Sequence, residues 1–550
     1  MLTYTPTRTS TYRQTREYPW ALLLLVFIWL WPGVFSHDLW KPNEPIAYTI
    51  IQEATLGAPW HPTLHGSAHF EISPLYIQAA LIFQKLLSPW AADAYSAARF
   101  ASVLFTTIGL LGSGMAGYRF LGRHHGRSVV LILIGSAGLL PIGHFIGAQS
   151  VLFAGAGLTM WGYSIIHRQV AFSAILIGIG ATFLAQSAGL LMAAAVLFSG
   201  CLMYAHTQWR NNRTLIALMG ATVIAAPLSA VYPLALSATS TSAFELYIQH
   251  YIFGSFGGTH NFQAAFQLPY YAKHILWFAF PALPLATWTI SRGKLTQQTF
   301  GIFSLAWLGV FGTLLAINPQ SDQDLLVLIL PPLALLGAAQ LDNLRRGAAA
   351  FLNWFGIMTF GFAALFLWIG FVAMNYGFPA KLAERAAYFS PYYTRDINIM
   401  PLIVALVFTP MWFIAITRKR IRGRQAVTNW AAGMTLVWAL LMTLFLPWID
   451  AAKSYRPVVQ NMQNALPENI KGSLKNGTAC LFIHPNSDNA IIAWQQYGDL
   501  PFTTRQNDCR YELVAFNPKI QATPTTGKIL WEGRRPRHKK ERFALVDKGA

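Results

Sequence analysis

Thirteen stretches of the chain run apolar long enough to be membrane spans. They lie at roughly 19–35, 98–118, 128–146, 150–166, 170–187, 189–205, 214–237, 271–290, 299–317, 324–341, 350–373, 400–416 and 427–447. A span needs about 20 apolar residues. A further apolar stretch, 75–88, is bracketed by Pro74 and Pro89. As a helix it reaches only about 21 Å at a rise of about 1.5 Å per residue, short of the roughly 30 Å hydrocarbon layer. It is expected to lie in the interface or re-enter. From about residue 448 the pattern changes. Thr478–His484, Cys509–Phe516, Lys528–Trp531 and Arg542–Val546 read as strands, and Ala490–Tyr497 as a short helix. The predicted fold is an all-α polytopic membrane protein of about 13 transmembrane helices with a small extracytoplasmic α/β C-terminal domain.

Composition agrees. Of 550 residues, 54% are hydrophobic and 11% charged, against about 25% charged in soluble proteins, and mean hydropathy is +0.40. A soluble enzyme, a disordered chain and a disulfide scaffold are excluded. The long Gly- and Leu-rich runs do not alternate like barrel strands. Aromatics, at 14% with 19 Trp, suit interfacial belts.

The net charge is +19, and its distribution sets topology. If 75–88 does not span, Arg8, Arg13, Arg16, Arg119, Arg123, Arg127, Arg168, Arg210, Arg213, Arg292, Lys294, Arg345, Arg346, Arg418, Lys419, Arg420, Arg422 and Arg424 share one side. Only Lys41, Lys85, Arg99, Lys273, Lys381, Arg385 and Arg395 face the other. The positive-inside rule then puts the N-terminus in the cytoplasm and the tail outside. Residues 1–18 form a basic cytoplasmic leader. The first apolar run lacks a small-residue cleavage site and reads as an anchor. No basic stripe carries base-reading chemistry, so no nucleic-acid partner is expected.

Large extracytoplasmic segments are expected at 36–97, 238–270 and 374–399, and long loops are where function concentrates. The first carries Asp38, Glu44 and Glu71, and a carboxylate at a bilayer surface needs a job or a partner. His61, His65 and His69 have a helical metal-ligand spacing, but Pro62 and Gly66 interrupt it and no metal is expected. Gly254–Gly258 reads as a mobile loop. Tyr247, His250 and Tyr251 read as an interfacial belt or an acceptor groove. Asn318–Asp324 reads as a solvated turn. The run Arg534–Lys540 reads as a solvated surface or a contact for anionic headgroups. Cys480 and Cys509, each beside a strand in an oxidising compartment, are expected to pair.

The order of motifs in the first loop resembles the GT-C glycosyltransferases, in the branch of the lipid A aminoarabinose transferase and the protein O-mannosyltransferases. That family's first loop carries Trp-x-Pro-Asp-Glu, where this chain has Trp40-Lys41-Pro42-Asn43-Glu44. Gly57-Ala58-Pro59-Trp60-His61-Pro62-Thr63-Leu64-His65-Gly66 is similar to its Gly-x-Trp-x-x-Pro-x-Leu-x-Gly, with shifted spacing. Ile72-Ser73-Pro74-Leu75 stands where it has Lys-Pro-Pro-Leu, and Arg99 where an Arg opens the next span. Leu328–Leu336 resembles a later Pro-rich run, and Leu446–Asp450 with Lys453–Pro457 the tail of a bacterial subgroup.

The resemblance implies a GT-C-like membrane domain over 19–447, with a first periplasmic loop 36–97 and a periplasmic α/β domain over 448–550, in a bacterial inner membrane. It implies an inverting glycosyltransferase without a cofactor, taking sugar from a polyprenyl-phosphate donor to a lipid A-like glycolipid or a protein. An acceptor hydroxyl must lose a proton to a base, and a departing phosphate needs cationic stabilisation. Glu44, Asn43 and Asp38 are then the catalytic candidates, and Lys41, Glu71, Arg99 and Lys273 the substrate-binding ones. This chain departs from the family at Asn43 (for Asp), at Ile46 and Ala47 (for Arg-Tyr), at Ile72 (for Lys) and at Gln149-Ser150, where an Asp is common. It also carries acids at Asp322 and Asp324 where a basic residue is common. An inactive relative that handles polyprenyl-linked sugars is the alternative. A transporter would show paired repeats and broken midplane helices, which the sequence lacks.

Overall fold

The computed structural model describes residues 19–41, 43–57, 59–292, 294–395, 397–417, 423–485, 487–505, 509–519 and 527–549. The leader 1–18, Pro42, Ala58, Arg418, Lys419, Arg420 and Arg422 lie outside the described residues.

The first part is helix α1 (Pro19–Leu30), α2 (Glu44–Leu56), a small antiparallel hairpin of β1 (Thr63–Leu64) and β2 (Ser67–Ala68), α3 (Pro74–Leu87) and α4 (Ala94–Leu121). There follow α5 (Arg123–Ile134), α6 (Leu139–His144), α7 (Gln149–Ile165), α8 (Val170–Ala188), α9 (Leu190–Tyr204), α10 (Asn212–Thr239) and α11 (Thr241–Leu246). Next come α12 (Leu268–Phe278), α13 (Ala282–Arg292), α14 (Thr299–Ala316), α15 (Leu330–Ala339), α16 (Arg346–Tyr376), α17 (Ala380–Phe389), α18 (Ile399–Ile416) and α19 (Gly423–Leu444). Among the described residues, α4, α8, α10, α14, α16, α18 and α19 are long and apolar enough to cross a membrane. Shorter apolar helices lie at Trp20–Leu30, Pro74–Leu87, Leu190–Tyr204 and Leu330–Ala339.

Three of the thirteen expected runs are not single helices. Residues 128–146 divide into α5 and α6, and 271–290 into α12 and α13. Pro281 has no amide hydrogen to continue α12, and the Phe278 carbonyl at the helix end accepts from the Gly138 amide at 3.0 Å. The two breaks thus satisfy one another. The run 324–341 opens as a 3₁₀ turn, Gln323–Leu328, before Pro331 and Pro332 start α15. Proline is tolerated in a first turn, where no intrahelical bond is lost.

Helices α4 and α7 pack closely because Gly112 and Gly157 bring the two backbones together; a Cβ on Gly112 would overlap the Gly157 peptide. Small residues at a crossing permit such approach in a membrane. Helices α16 and α18 instead turn Phe351, Phe362, Ile403 and Phe413 outward. That contiguous apolar surface suits hydrocarbon and not water.

After α19 come α20 (Leu446–Lys453), α21 (Arg456–Ala465), α22 (Glu468–Lys475), β3 (Leu481–Ile483), α23 (Asp488–Tyr497), β4 (Tyr511–Phe516), β5 (Lys528–Gly533) and β6 (Arg542–Asp547). The sheet order is β3-β4-β6-β5, with β3 parallel to β4 and the other pairs antiparallel. Tyr455, Val458, Met462, Trp494, Leu513 and Phe543 form its core. Cys480 and Cys509 are joined in a disulfide, 29 residues apart. Closing a loop of that length stabilises by about 2–4 kcal/mol. Cys480→Ser with Cys509→Ser is therefore expected to lower stability by that amount, read from denaturant unfolding of purified protein.

Candidate functional site

The first loop is held by a buried ion pair. Pro45 in its first turn starts α2, and Glu44, the first residue of the helix, reaches back into the protein. Its Oε1 accepts from Arg99 Nε at 3.0 Å and from the Ile146 amide at 3.1 Å; its Oε2 accepts from the Trp40 amide at 3.0 Å. Arg99 is fully buried and also donates to the carbonyls of His37 and Asp38, both at 3.0 Å. Burial alone would push the Glu44 carboxyl up, but Arg99, helped by hydrogen bonds, holds it below its usual range. Burial and then Arg99 push His37 down to about 4, so it is neutral at pH 7.

The C-terminal region grips the same loop. Asp38 takes a two-pronged contact from Arg456, at 2.6 Å from Nη2 and 3.0 Å from Nε. Asp450 accepts from the Trp40 indole at 2.7 Å and the Asp38 amide at 3.1 Å, and the Leu39 amide donates to the Tyr497 hydroxyl at 3.0 Å. Lys41 pairs with Glu541 at 2.8 Å, and Tyr455 donates to the same carboxylate at 3.1 Å. Fork geometry of the Asp38–Arg456 kind adds direction as well as strength.

Burial, reinforced by neighbouring Asp38, raises Asp450 from 3.8 to about 7. Between these values the unfolded chain has lost the Asp450 proton and the folded chain has kept it. Stability from this group is therefore present at low pH and lost as pH rises toward about 7. Asp450→Asn, which keeps an acceptor for Trp40, is expected to flatten that part of the melting temperature against pH. An unchanged slope would assign the effect elsewhere.

A cavity of about 470 Å³ opens beside this knot. The start of α2 contributes Asn43, Ile46 and Ala47, and the segment before α3 contributes His69, Phe70, Glu71 and Ile72. Ile146–Gln149 and Gln186–Gly189 form the floor, and the 247–263 segment with Gln320, Asp322 and Leu325 forms the far wall. Gly189 and Gly254, both at positive φ, let the 254–257 turn lie against the α8–α9 junction. A Cβ on either would strike the other segment's backbone. The Leu190 amide seals the contact on the Ile252 carbonyl at 2.9 Å. The glycines expected to make a mobile loop thus bring backbone to the cavity wall.

The cavity chemistry is aromatic and acidic. Phe70 packs edge-on against Tyr247 at 5.4 Å and Tyr251 at 5.0 Å between ring centres, and Tyr232 against Tyr247 at 5.5 Å. His69 Nε2 lies 3.3 Å from Glu71 Oε2. The His69 imidazole beside it holds the Glu71 carboxyl below its usual value against partial burial. Glu71 is thus ionised at neutral pH, and its side chain is 70% exposed. Across the cavity, burial raises Asp322, which caps the Gln323–Leu328 turn. Among the described residues, no Lys or Arg lines the cavity.

The expected site residues therefore separate. Glu44 and Arg99 meet in the buried pair, and Asp38 and Lys41 bind the C-terminal region; none of these four lines the cavity. Asn43 and Glu71 do line it. Lys273 is exposed on α12 and is not among the lining residues. Asp322, expected in a solvated turn, is half-buried in the cavity wall. Asp450, Arg456 and Glu541 escaped notice as partners of the first loop, since contacts across 412, 418 and 500 residues leave no local pattern. Of the three histidines, His65 lies 3.9 Å from Glu53 and His69 beside Glu71; among the described residues no cluster of potential ligands could hold a metal.

No protein-family profile matches the chain, and no curated protein matches it in sequence. Solved structures do match in shape. ArnT from Cupriavidus metallidurans in the apo state superimposes with a TM-score of 0.62 at 14% identity, over 96% of this chain and 98% of that one. ArnT from the same organism bound to undecaprenyl phosphate gives 0.57 at 14% identity over the same shares. Over nearly the full length of both chains, this is a multi-pass membrane protein with the fold of ArnT.

Proposed function

We propose that this protein is a membrane glycosyltransferase that moves a sugar from a polyprenyl-phosphate carrier to an envelope glycolipid, lipid A-like, or to a protein. The observation that carries the proposal is the cavity placed beside the first loop within an ArnT-like fold, with an ionised carboxylate and an aromatic wall. That an ArnT structure holds undecaprenyl phosphate supports the choice of donor. The disulfide in the C-terminal sheet supports an extracytoplasmic face, since disulfides persist in oxidising compartments. The N-terminus is then cytoplasmic, residues 19–447 form the membrane domain and residues 448–550 the periplasmic one, in a bacterial inner membrane.

In this proposal Glu71 is the base. It takes the proton of the acceptor hydroxyl as that oxygen attacks the anomeric carbon and the bond to the carrier phosphate breaks, inverting the centre. Asn43, at the cavity edge, hydrogen-bonds sugar or acceptor, and the Phe70, Tyr247 and Tyr251 rings pack against the sugar. Glu44 and Arg99 act by position, fixing the start of α2 where Asn43 stands. His69 and His250 line the cavity and offer imidazole N–H donors to a phosphate.

A second reading, an inactive relative that binds polyprenyl-linked sugar, is favoured by one observation. The cavity has no Lys or Arg for the leaving phosphate among its described residues. Mass spectrometry of envelope glycolipids and glycoproteins from a deletion strain and its parent separates the two. A sugar mass lost on deletion and restored by the wild-type gene establishes the transferase and identifies its product. Matching profiles under inducing conditions establish the second reading.

A further inference from the structure

Helix α17 and the basic run of the tail form one surface that the transfer chemistry leaves unused. α17 lies between the end of α16 at Tyr376 and the start of α18 at Ile399, both lipid-facing helices. None of its residues is buried. Trp448 fixes it in place: the indole donates to the Ala386 carbonyl, and the Ser390 hydroxyl donates to the Trp448 carbonyl, both at 3.0 Å.

From the tail, Arg537 lays its guanidinium 3.8 Å from the centre of the Tyr388 ring and 5.1 Å from that of Phe389. Arg537 above all, then Lys539 and Arg385, hold the exposed Tyr388 phenol below its ordinary value. Arg385, Arg537, Lys539 and Lys540 are exposed, and among the described residues none of them is ion-paired to a carboxylate. Exposed rings lie against the cations: Tyr388 and Phe389, on which Arg537 rests, are 57% and 43% exposed, and the ends of α17's two connections expose Phe378, Ile399 and Met400. Water would suit the cations and not the apolar chains. Hydrocarbon would do the reverse. A boundary of anionic headgroups over acyl chains satisfies both.

We propose that this surface docks on the anionic phospholipid headgroups of the adjoining leaflet and so pins the C-terminal sheet to the membrane. The surface is independent of the transferase reading, since it needs neither the cavity nor turnover.

The test titrates the purified full-length chain in detergent with phosphatidylglycerol, and with phosphatidylcholine as comparator, reading bound lipid by native mass spectrometry. Wild type is expected to bind phosphatidylglycerol at least about tenfold more tightly than phosphatidylcholine, since each basic residue near an anionic surface adds about a fivefold gain. The triple variant Arg385→Gln, Arg537→Gln, Lys539→Gln is expected to lose most of that preference. A control removes the same charge elsewhere on the tail, through the exposed lysines in Lys475→Gln, Lys519→Gln and Lys528→Gln, and is expected to keep it. Equal loss in both triple variants, or no preference in wild type, overturns the proposal. So does competition by millimolar inorganic phosphate alone, which would make the surface a site for a soluble anion.

Discussion

Arg99→Ala is expected to destabilise the protein by about 3–5 kcal/mol, the range for removing one partner of a buried ion pair. The loss is large because of what remains. Glu44 would keep its charge with no guanidinium beside it, at 2% exposure. The carbonyls of His37 and Asp38 would each lose a guanidinium donor at 3.0 Å. Thermal or denaturant unfolding of detergent-purified protein measures this. Glu44→Gln is expected to be harmful for the converse reason, since it leaves Arg99 charged and buried. A double-mutant cycle of Arg99→Met and Glu44→Leu separates pair energy from desolvation. The double variant is expected to lose less than the sum of the singles, because no buried charge then stands alone. Additive losses would mean that the two side chains act independently.

Glu71→Gln is expected to reduce sugar transfer by about 10²–10⁴-fold, the usual worth of a positioned general base, with little change in stability. Glu71 is exposed, and its only close ionic neighbour among the described residues is His69. The measurement is turnover of a polyprenyl-phosphate sugar by reconstituted protein, beside the unfolding curve of the same sample. Glu44→Gln should instead lose activity in proportion to lost folded protein. Because His69 holds Glu71 below 4.5, the acid limb of wild-type activity should fall below that pH. His69→Ala should move the limb upward as that contact is lost. Full activity of Glu71→Gln would remove it as base.

The apolar helices were legible because apolar runs between polar loops are a strong local signal, and the strands of the tail likewise. Breaks at Ala279–Pro281 and before Pro331 were less legible, since the run 271–290 stays apolar through Pro281 and hydropathy does not register a lost amide hydrogen. The first loop stood out in the sequence through its carboxylates and its motif order. The division of labour within it was not. Glu44 and Glu71 look alike as acids near a membrane helix. Only burial against Arg99 makes one a strut, and only exposure beside His69 makes the other free to take a proton.

Length and hydropathy patterning by themselves determined a polytopic helical protein with a small mixed α/β tail, because those properties act locally along the chain. Tertiary structure alone decided which carboxylates are consumed. Asp38, Lys41 and Glu44 find partners at Arg456, Glu541 and Arg99, and the chain between them carries no trace of those meetings. It also decided that the cavity presents Glu71 and Asp322 and no described Lys or Arg. Which side chains share a cavity depends on how helices far apart in sequence pack, and packing is a property of the whole fold.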